Sequence, residues 1–445
     1  MQPAPSTRAQ SHRRWAVGLT AITLGGLALR VTYVLVSKNP RTPGGDDFYF
    51  HHGANLLVDG RGFLDPIALL LEHHVTPGAV HPPGYLLFLA VSSLFGFRSF
   101  LDHQIWSGLL GAGTIALVGY TARRIAGPRA GLLAAFIAAI YPNFWFHDSV
   151  VMSETLILFT TTLVVLVAYW LWEQPSVGRA AVLGVAVGVA ALTRAESIVL
   201  VLVLALPLAY VLRELDLRSK LRLFAVATVA TVVTISPWVI YNLTRFAHPV
   251  ALSTNLEATL ASANCDTVYR GQNLGSWSFN CVLRLHPPAG DASTKAIYYR
   301  HQVLDYVGKH AGRVPVVVLA REGRTWGLFN PIQQVTLDEI EGQERWLART
   351  GLGMFYVLAG AAIGGAIILR RRRITLVPLV GVIVAVAVTV GVVYGTTRFR
   401  TPAEVPIVLL AAVGFDEAIG LALARRRAGP GATPADAPAP VPDPL

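Results

Sequence analysis

Residues 15–36 read WAVGLTAITLGGLALRVTYVLV. They follow Arg13-Arg14 and precede, by about ten residues, Gly44-Gly45-Asp46-Asp47-Phe48-Tyr49-Phe50-His51-His52. As a helix the apolar run rises about 33 Å, enough to cross the hydrocarbon core of a bilayer. The stretch before it is polar and basic, and no small-residue cleavage site follows, so the run is expected to stay as an anchor with its N-terminus in the cytoplasm. The acidic pair then lies just beyond the opposite membrane face. Two adjacent carboxylates followed by aromatics and histidines suit proton chemistry on something the membrane presents.

The same pattern recurs along the chain. With 445 residues, 53% of them hydrophobic and 14% charged, and a mean hydropathy of +0.51, the composition is too apolar for a soluble enzyme of this length. Further apolar runs lie at 105–122, 131–147, 155–172, 179–193, 197–213, 222–243, 351–369, 375–394 and 403–424. The fold expected is an all-α polytopic membrane protein of about ten transmembrane helices, because helices satisfy their own backbone polar groups in lipid. The net charge of +11 is concentrated in short clusters beside these runs: Arg123-Arg124, Arg218 to Arg222, Arg370 to Arg373 and Arg425 to Arg427. Alternation from a cytoplasmic N-terminus puts every cluster on the cytoplasmic side, the positive-inside pattern. Nucleic acid is not the partner this charge implies, since no binding motif or aromatic platform accompanies it.

That parity decides one ambiguous run. Counting Pro83 to Phe97 as a span would carry Arg123, Arg124 and Arg129 outside, so it is expected to be an interfacial or re-entrant helix. The organisation that follows has five parts. A cytoplasmic N-terminus (1–14) leads into a transmembrane module (15–243) whose first external loop, 37–104, carries the acidic pair. An extracytoplasmic segment (244–349) comes next, with a helix expected over Lys295 to Gly312 and a bilayer-lying apolar patch at Val314 to Leu319. C-terminal transmembrane helices (350–424) precede a Pro- and Ala-rich cytoplasmic tail (425–445) expected to be disordered. The two cysteines, Cys265 and Cys281, both fall in the segment 244–349. In an oxidising compartment they are expected to form one disulfide, with two unpaired thiols as the alternative.

On this topology the unusual charges gather at one membrane face. Asp46 and Asp47 follow the first span, Asp148 and Glu154 lie between the third and fourth, and Arg194 and Glu196 occupy a tight turn. Arg245 follows the seventh span, and Arg398 and Arg400 precede the tenth. Charges left in hydrocarbon cost several kcal/mol each, so solvation, pairing or function must account for them. A carboxylate beside arginines can take the proton of an incoming hydroxyl or amine while the arginines neutralise a phosphate leaving group whose lipid tail stays in the bilayer. Each carboxylate also has a plainer reading as a cap or surface ion pair: Asp148 as a cap, and Glu154 at a helix N-terminus that stabilises its charge. Asp46, entered through two glycines, is favoured for function. His51, His52, His73, His74 and His81 lack metal-site spacing and read as solvated or hydrogen-bonded side chains; no metal site is expected.

These residues resemble the membrane-embedded glycosyltransferases of the GT-C fold, near the aminoarabinose-transferase and protein O-mannosyltransferase branch. The motifs that carry the resemblance begin with Gly45-Asp46-Asp47, Ala54, Leu57, Gly60-Arg61-Gly62-Phe63 and His81-Pro82-Pro83-Gly84-Tyr85. They continue with Tyr141-Pro142, Ser153-Glu154, Leu192-Thr193-Arg194, Pro237-Trp238 with Asn242, and Arg398-Phe399-Arg400-Thr401-Pro402. The stretch from Asn264-Cys265-Asp266 through Trp277 to Cys281 looks like a cysteine-bearing loop of actinobacterial members.

The resemblance implies a polyprenyl-phosphate sugar as donor, an extracytoplasmic acceptor (glycan, lipid or protein), inversion at the sugar, and residence in the plasma membrane. It places the catalytic acid at Asp46 with Asp47 as neighbour, a second acid at Glu154, and contacts to the lipid phosphate among His81, Arg194, Arg245, Arg398 and Arg400. Two departures stand out. Phe50 replaces a frequent tyrosine, and His81 stands where some relatives place a lysine. No cofactor is expected, although members differ in their need for a divalent ion, and neither the sugar nor the acceptor is specified by these residues. A secondary transporter, or a membrane protein that binds lipid-linked intermediates without chemistry, are the alternative classes; the first would call for inverted repeats and midplane charges.

Overall fold

The structure, a computed structural model, describes residues 5–38, 44–205, 212 and 214–428. Its architecture is helical, and among the described residues the only β pairing is an isolated bridge between Leu64 and Pro77. The first half of the chain contributes α1 (Pro5–Tyr33), α2 (Asp46–Val58), α3 (Gly84–Leu94), α4 (Phe100–Ala126), α5 (Pro128–Ile140), α6 (Glu154–Glu173) and α7 (Val177–Thr193). The second half contributes α8 (Leu217–Leu243), α9 (Ala292–Lys309), α10 (Val314–Thr325), α11 (Pro331–Ile340), α12 (Arg345–Arg371), α13 (Val377–Val392) and α14 (Thr401–Ala428).

The apolar runs resolve into three kinds of element. Six helices, α1, α4, α6, α8, α12 and α14, are long and apolar enough to cross a membrane. The 131–147 run is not one straight span. α5 stops at Ile140, Tyr141 turns extended (φ −72°, ψ 117°), and the chain restarts at Pro142 bent by 74°. Proline explains the break, since its ring disfavours a helical conformation in the preceding residue. The runs 179–193 and 375–394 form the shorter apolar helices α7 and α13, and 197–213 begins as a short helix over Ala195–Ala205, with most of its remainder outside the described residues. At the C-terminal end α14 stays helical through Ala428, beyond the 425 boundary expected for a disordered tail. The rest of that tail, like residues 1–4 of the N-terminus, lies outside the described residues.

Local sequence sets the joints. Ser99 and Asp102 form a reciprocal capping box that starts α4, and Gly127 (φ +99°) ends it. Pro128 at the first helical position then opens α5. Close helix contacts rest on small residues, as in membrane packing generally. A Cβ on Gly184 would lie 2.1 Å from the Ala227 carbonyl oxygen, and one on Gly365 would lie 1.9 Å from that of Leu410, so α7 packs on α8 and α12 on α14 almost backbone to backbone. Deep in the bundle Arg30 of α1 donates from Nε to Asp148 (2.8 Å), both side chains 1% exposed. It also reaches the carbonyls of Gly26, Ala138 and Ala139, while the Thr155 hydroxyl donates to the other Asp148 oxygen. Asp148 is therefore an ion-pair partner and not a cap, and it pins the 142–150 segment just ahead of Glu154.

The first external loop and the 244–349 segment pack on each other. Thr254 N–H donates to the Ala79 carbonyl (2.8 Å) and the Ser253 hydroxyl donates to that of Val80 (2.6 Å), while Phe63 of the same loop lies against Trp238 and Tyr241 at the end of α8. The approach to His81 is thereby fixed from two sides. The helix expected at Lys295 to Gly312 is α9, and Val314 to Leu319 opens α10.

Candidate active site

Asp46 is the first residue of α2. Its approach depends on Gly45, whose φ of +81° and ψ of −133° belong to glycine. The carboxylate then meets an imidazole and a guanidinium: Oδ1 lies 3.1 Å from His81 Nε2, and Arg398 Nη2 donates to Oδ2 at 2.7 Å. His81 is held in place by Tyr49 and Phe50, whose rings pack against its imidazole at 5.2 and 4.8 Å. Burial alone would raise the Asp46 pKa, but His81 and Arg398 together hold it well below the usual carboxylate range. The helix N-terminus favours the same charged form.

Arg398 carries the network onward. Its Nε donates to Glu154 Oε1, and Arg194 Nη1 donates to the same oxygen. Glu154 opens α6 and is fully buried. Arg194, in the turn after α7, also donates from Nε to Glu196 at 2.6 Å and lies 5.1 Å from the Phe399 ring. Five separate stretches of chain thus converge in one continuous charge network, His81–Asp46–Arg398–Glu154–Arg194–Glu196. Unlike charges in direct contact leave no buried carboxylate of this series without a counter-ion, which is the condition for tolerating them in a low-dielectric site.

Other expected residues lie elsewhere. Asp47 points inward, 2% exposed, and its Oδ1 accepts from the N–H groups of Gly44 (2.7 Å) and Phe48 (2.8 Å). Arg245 is exposed, its guanidinium 5.1 Å from the Tyr241 ring, and it makes no ion pair among the described residues. Arg400 is 1% exposed. It donates to Glu404 (2.7 Å) and to the Thr325 carbonyl (2.9 Å) and packs 3.6 Å from the Phe355 ring, so its donors are used inside the fold. Glu404 also accepts from the Tyr141 hydroxyl and the Asn143 amide. Cys265 and Cys281 are joined by a disulfide, Cα–Cα 5.8 Å. Among the histidines, His51 and His103 share a contact between their Nδ1 atoms at 3.0 Å, and burial pushes His51 down to about 3. His73 and His74 are exposed. Among the described residues no three His, Cys, Asp or Glu side chains form a group able to hold a metal ion.

One residue the sequence did not single out faces the same centre. Glu341, just past the C-terminal end of α11, shares with Arg398 the wall of a cavity of about 30 Å³. In the sequence it belongs to the run Asp338-Glu339-Ile340-Glu341, which reads as a solvated surface, and no local signal marks it.

Residues 80–241 match the family described as dolichyl-phosphate-mannose-protein mannosyltransferase; the match takes in His81, Glu154 and Arg194. No curated protein matches the chain. Among solved structures, the archaeal oligosaccharyltransferase AglB from Archaeoglobus fulgidus, in complex with an inhibitory peptide and a dolichol-phosphate, is similar at 14% identity and TM-score 0.57, over 95% of this chain and 52% of that one. The Archaeoglobus fulgidus oligosaccharyltransferase tethered with an acceptor peptide is similar at 15% identity and TM-score 0.57, over 93% and 50%. ArnT from Cupriavidus metallidurans aligns at 14% identity over 93% of this chain and 80% of that one, with a TM-score of 0.43. The chain spans about half the length of the oligosaccharyltransferases it matches. It is an all-helical, polytopic membrane protein with the fold of the GT-C glycosyltransferases, similar over 80–241 to the protein mannosyltransferases.

Proposed function

We propose that this protein transfers a sugar from a polyprenyl-phosphate donor to an extracytoplasmic acceptor, with inversion at the anomeric carbon. The observation that carries the reading is the network in which Asp46 and Glu154 are bridged by Arg398 and flanked by His81 and Arg194. The acceptor's hydroxyl or amine approaches Asp46, which draws off its proton as the new bond to the sugar forms. The bond between the sugar and the lipid phosphate breaks, and the phosphate departs with the electron pair. Arg398 and Arg194 supply the positive charge that the departing phosphate needs, with His81 beside them on the other Asp46 oxygen. Glu154 holds the two guanidiniums in register, so their order exists before the donor arrives. Arg245 and Arg400 are not part of this reading.

The orientation rests on charge. Arg124 pairs with Glu173 at the far end of α4 and α6, and Arg372 pairs with Glu417 beyond the far end of α12. These basic helix ends lie opposite the network, which supports placing them on the cytoplasmic side by the positive-inside rule; the membrane we propose is the plasma membrane. We propose no resident metal, because Asp46 and Glu154 already take their counter-charge from arginines. Chelation would then leave transfer unchanged.

The test is the lipid pool of cells lacking the protein. One polyprenyl-phosphate sugar should accumulate, and the parent gene should return it to normal while D46N should not. An unchanged pool, or rescue by D46N, would refute the reading.

A further inference from the structure

Arg398 serves two settings at once. Its guanidinium holds Asp46 and Glu154, and the same residue lines the cavity of about 30 Å³ that lies among the 142–150 segment, α11 and the first turns of α12 and α14. That room suits one or two water molecules. It is too little for a whole sugar ring and enough for an arm of one carbon and one oxygen.

Part of the wall is apolar, from Val335, Ala348 and Leu352. Against it stand buried polar atoms that the fold leaves without partners. Gln334 is 3% exposed, and its amide nitrogen donates to Asp338 (3.1 Å) and to the Thr396 hydroxyl oxygen (3.3 Å). A carboxylate accepts, so the nitrogen must face Asp338 and the atom left over is the Oε1 acceptor, which is unpartnered. Nδ1 of His147, a residue 8% exposed, is unpartnered as well. The other polar groups nearby are spent: the Thr397 hydroxyl donates to Asp338 at 2.7 Å, and Asn143 and Arg400 both donate to Glu404.

Buried polar atoms without partners are rare in a native fold, and here two of them share one small recess. An amide oxygen calls for a hydroxyl donor, and an imidazole nitrogen beside it can complete the hydroxyl's second hydrogen bond. The position selects the ligand. Arg398 is the cation that the leaving phosphate meets during transfer, and the group bonded directly to that phosphate is the sugar. Of the substituents on a sugar ring, the hydroxymethyl carries its oxygen one carbon beyond the ring, so it can enter a recess while the ring stays outside.

We propose that this cavity is a specificity pocket for the primary hydroxyl of the donor sugar. The hydroxymethyl arm enters beside Arg398 and lays its carbon against Val335, Ala348 and Leu352. Its hydroxyl donates to Gln334 Oε1 and accepts from His147 Nδ1. The donor sugar is then a hexopyranose or a pentofuranose. A 6-deoxyhexose or a pentopyranose lacks the arm and is refused, because it leaves these buried groups unpaired. This deepens the transferase reading and rests on it.

The experiment gives purified full-length protein in liposomes, with envelope extract as acceptor, matched pairs of radiolabelled polyprenyl-phosphate donors: mannose and 6-deoxymannose, galactose and 6-deoxygalactose, arabinofuranose and arabinopyranose. The parent should use at least one arm-bearing donor, and prefer it to its armless match by about 10,000-fold in kcat/KM. Q334M removes the acceptor oxygen, and A348V fills the recess from α12 without touching a polar group. Each should bring the arm-bearing donor to within about tenfold of its match. General damage to the fold would lower both donors alike and keep their ratio. A parent that uses the armless donors as well as the others, or a parental ratio that survives in either variant, would overturn the pocket and leave the transferase reading standing. A parent inactive with every donor would overturn both.

Discussion

Replacing Glu154 by glutamine removes the charge on which two guanidiniums converge. Glu154 is 0% exposed, and the Arg194 and Arg398 side chains are 11% and 17% exposed, so solvent screens the cluster weakly. Removing one partner of a buried ion pair typically costs about 3–5 kcal/mol, because the charge left behind stays desolvated. Here each arginine retains a second carboxylate, Glu196 at 2.6 Å and Asp46 at 2.7 Å, which places the expected loss near the lower end, about 3 kcal/mol. At about 2 °C per kcal/mol for a chain of this size, the melting midpoint of E154Q should fall by about 6 °C. Intrinsic tryptophan fluorescence in detergent reads that shift. The double variant E154Q/R194Q sharpens the test, since it removes one of the two cations as well as the anion. Its loss should be smaller than the sum of the single losses by about 1–3 kcal/mol. A melting curve for E154Q that overlays the parent, or strict additivity in the double variant, would refute the assignment of Glu154 as the hub of the network.

Further expectations separate positions that look alike in the sequence. D47A should lower the melting midpoint, because it removes the oxygen that accepts from the Gly44 and Phe48 N–H groups at the entry to α2, at a cost of about 0.5–2 kcal/mol; transfer activity should survive in part, unlike that of D46N. R400L should destabilise by about 3–5 kcal/mol by leaving Glu404 buried without its cation, whereas R245A should change stability by no more than about 0.5 kcal/mol and kcat by less than about twofold, its exposed charge having no ion-pair partner among the described residues. Pairing of Cys265 with Cys281 predicts that alkylation labels the protein only after reduction, as read by mass, and that the C265S/C281S variant loses about 3 kcal/mol of stability.

Much of the bundle was legible because hydrocarbon imposes a coarse rule: long apolar runs, with charge confined to their ends. The same rule exposed Asp46, Glu154, Arg194 and Arg398, since charges beside apolar runs need a physical reason, and the fold brings these four together with His81. Adjacent residues on a helix point about 100° apart, so Asp46 turns to the network and Asp47 into the protein, a distinction that no reading of their identical chemistry supplies. The bend at Pro142 escaped because apolar periodicity continues through it. Arg30 was hidden inside the first run, where its partner Asp148 lies 118 residues away. Glu341 escaped for the opposite reason. In a polar segment a carboxylate costs nothing locally, and what makes it unusual is the cavity wall it shares with His147 and Arg398 from distant parts of the chain.

Asp46, gripped by Arg398 and His81, is the residue proposed to serve sugar transfer from a polyprenyl-phosphate donor. The most direct test compares parent and D46N in proteoliposomes loaded with a radiolabelled polyprenyl-phosphate sugar and envelope extract as acceptor. Label should move from donor to acceptor with the parent, with a loss of at least about 100-fold for D46N while the variant stays folded. Equal transfer by the two proteins would contradict it.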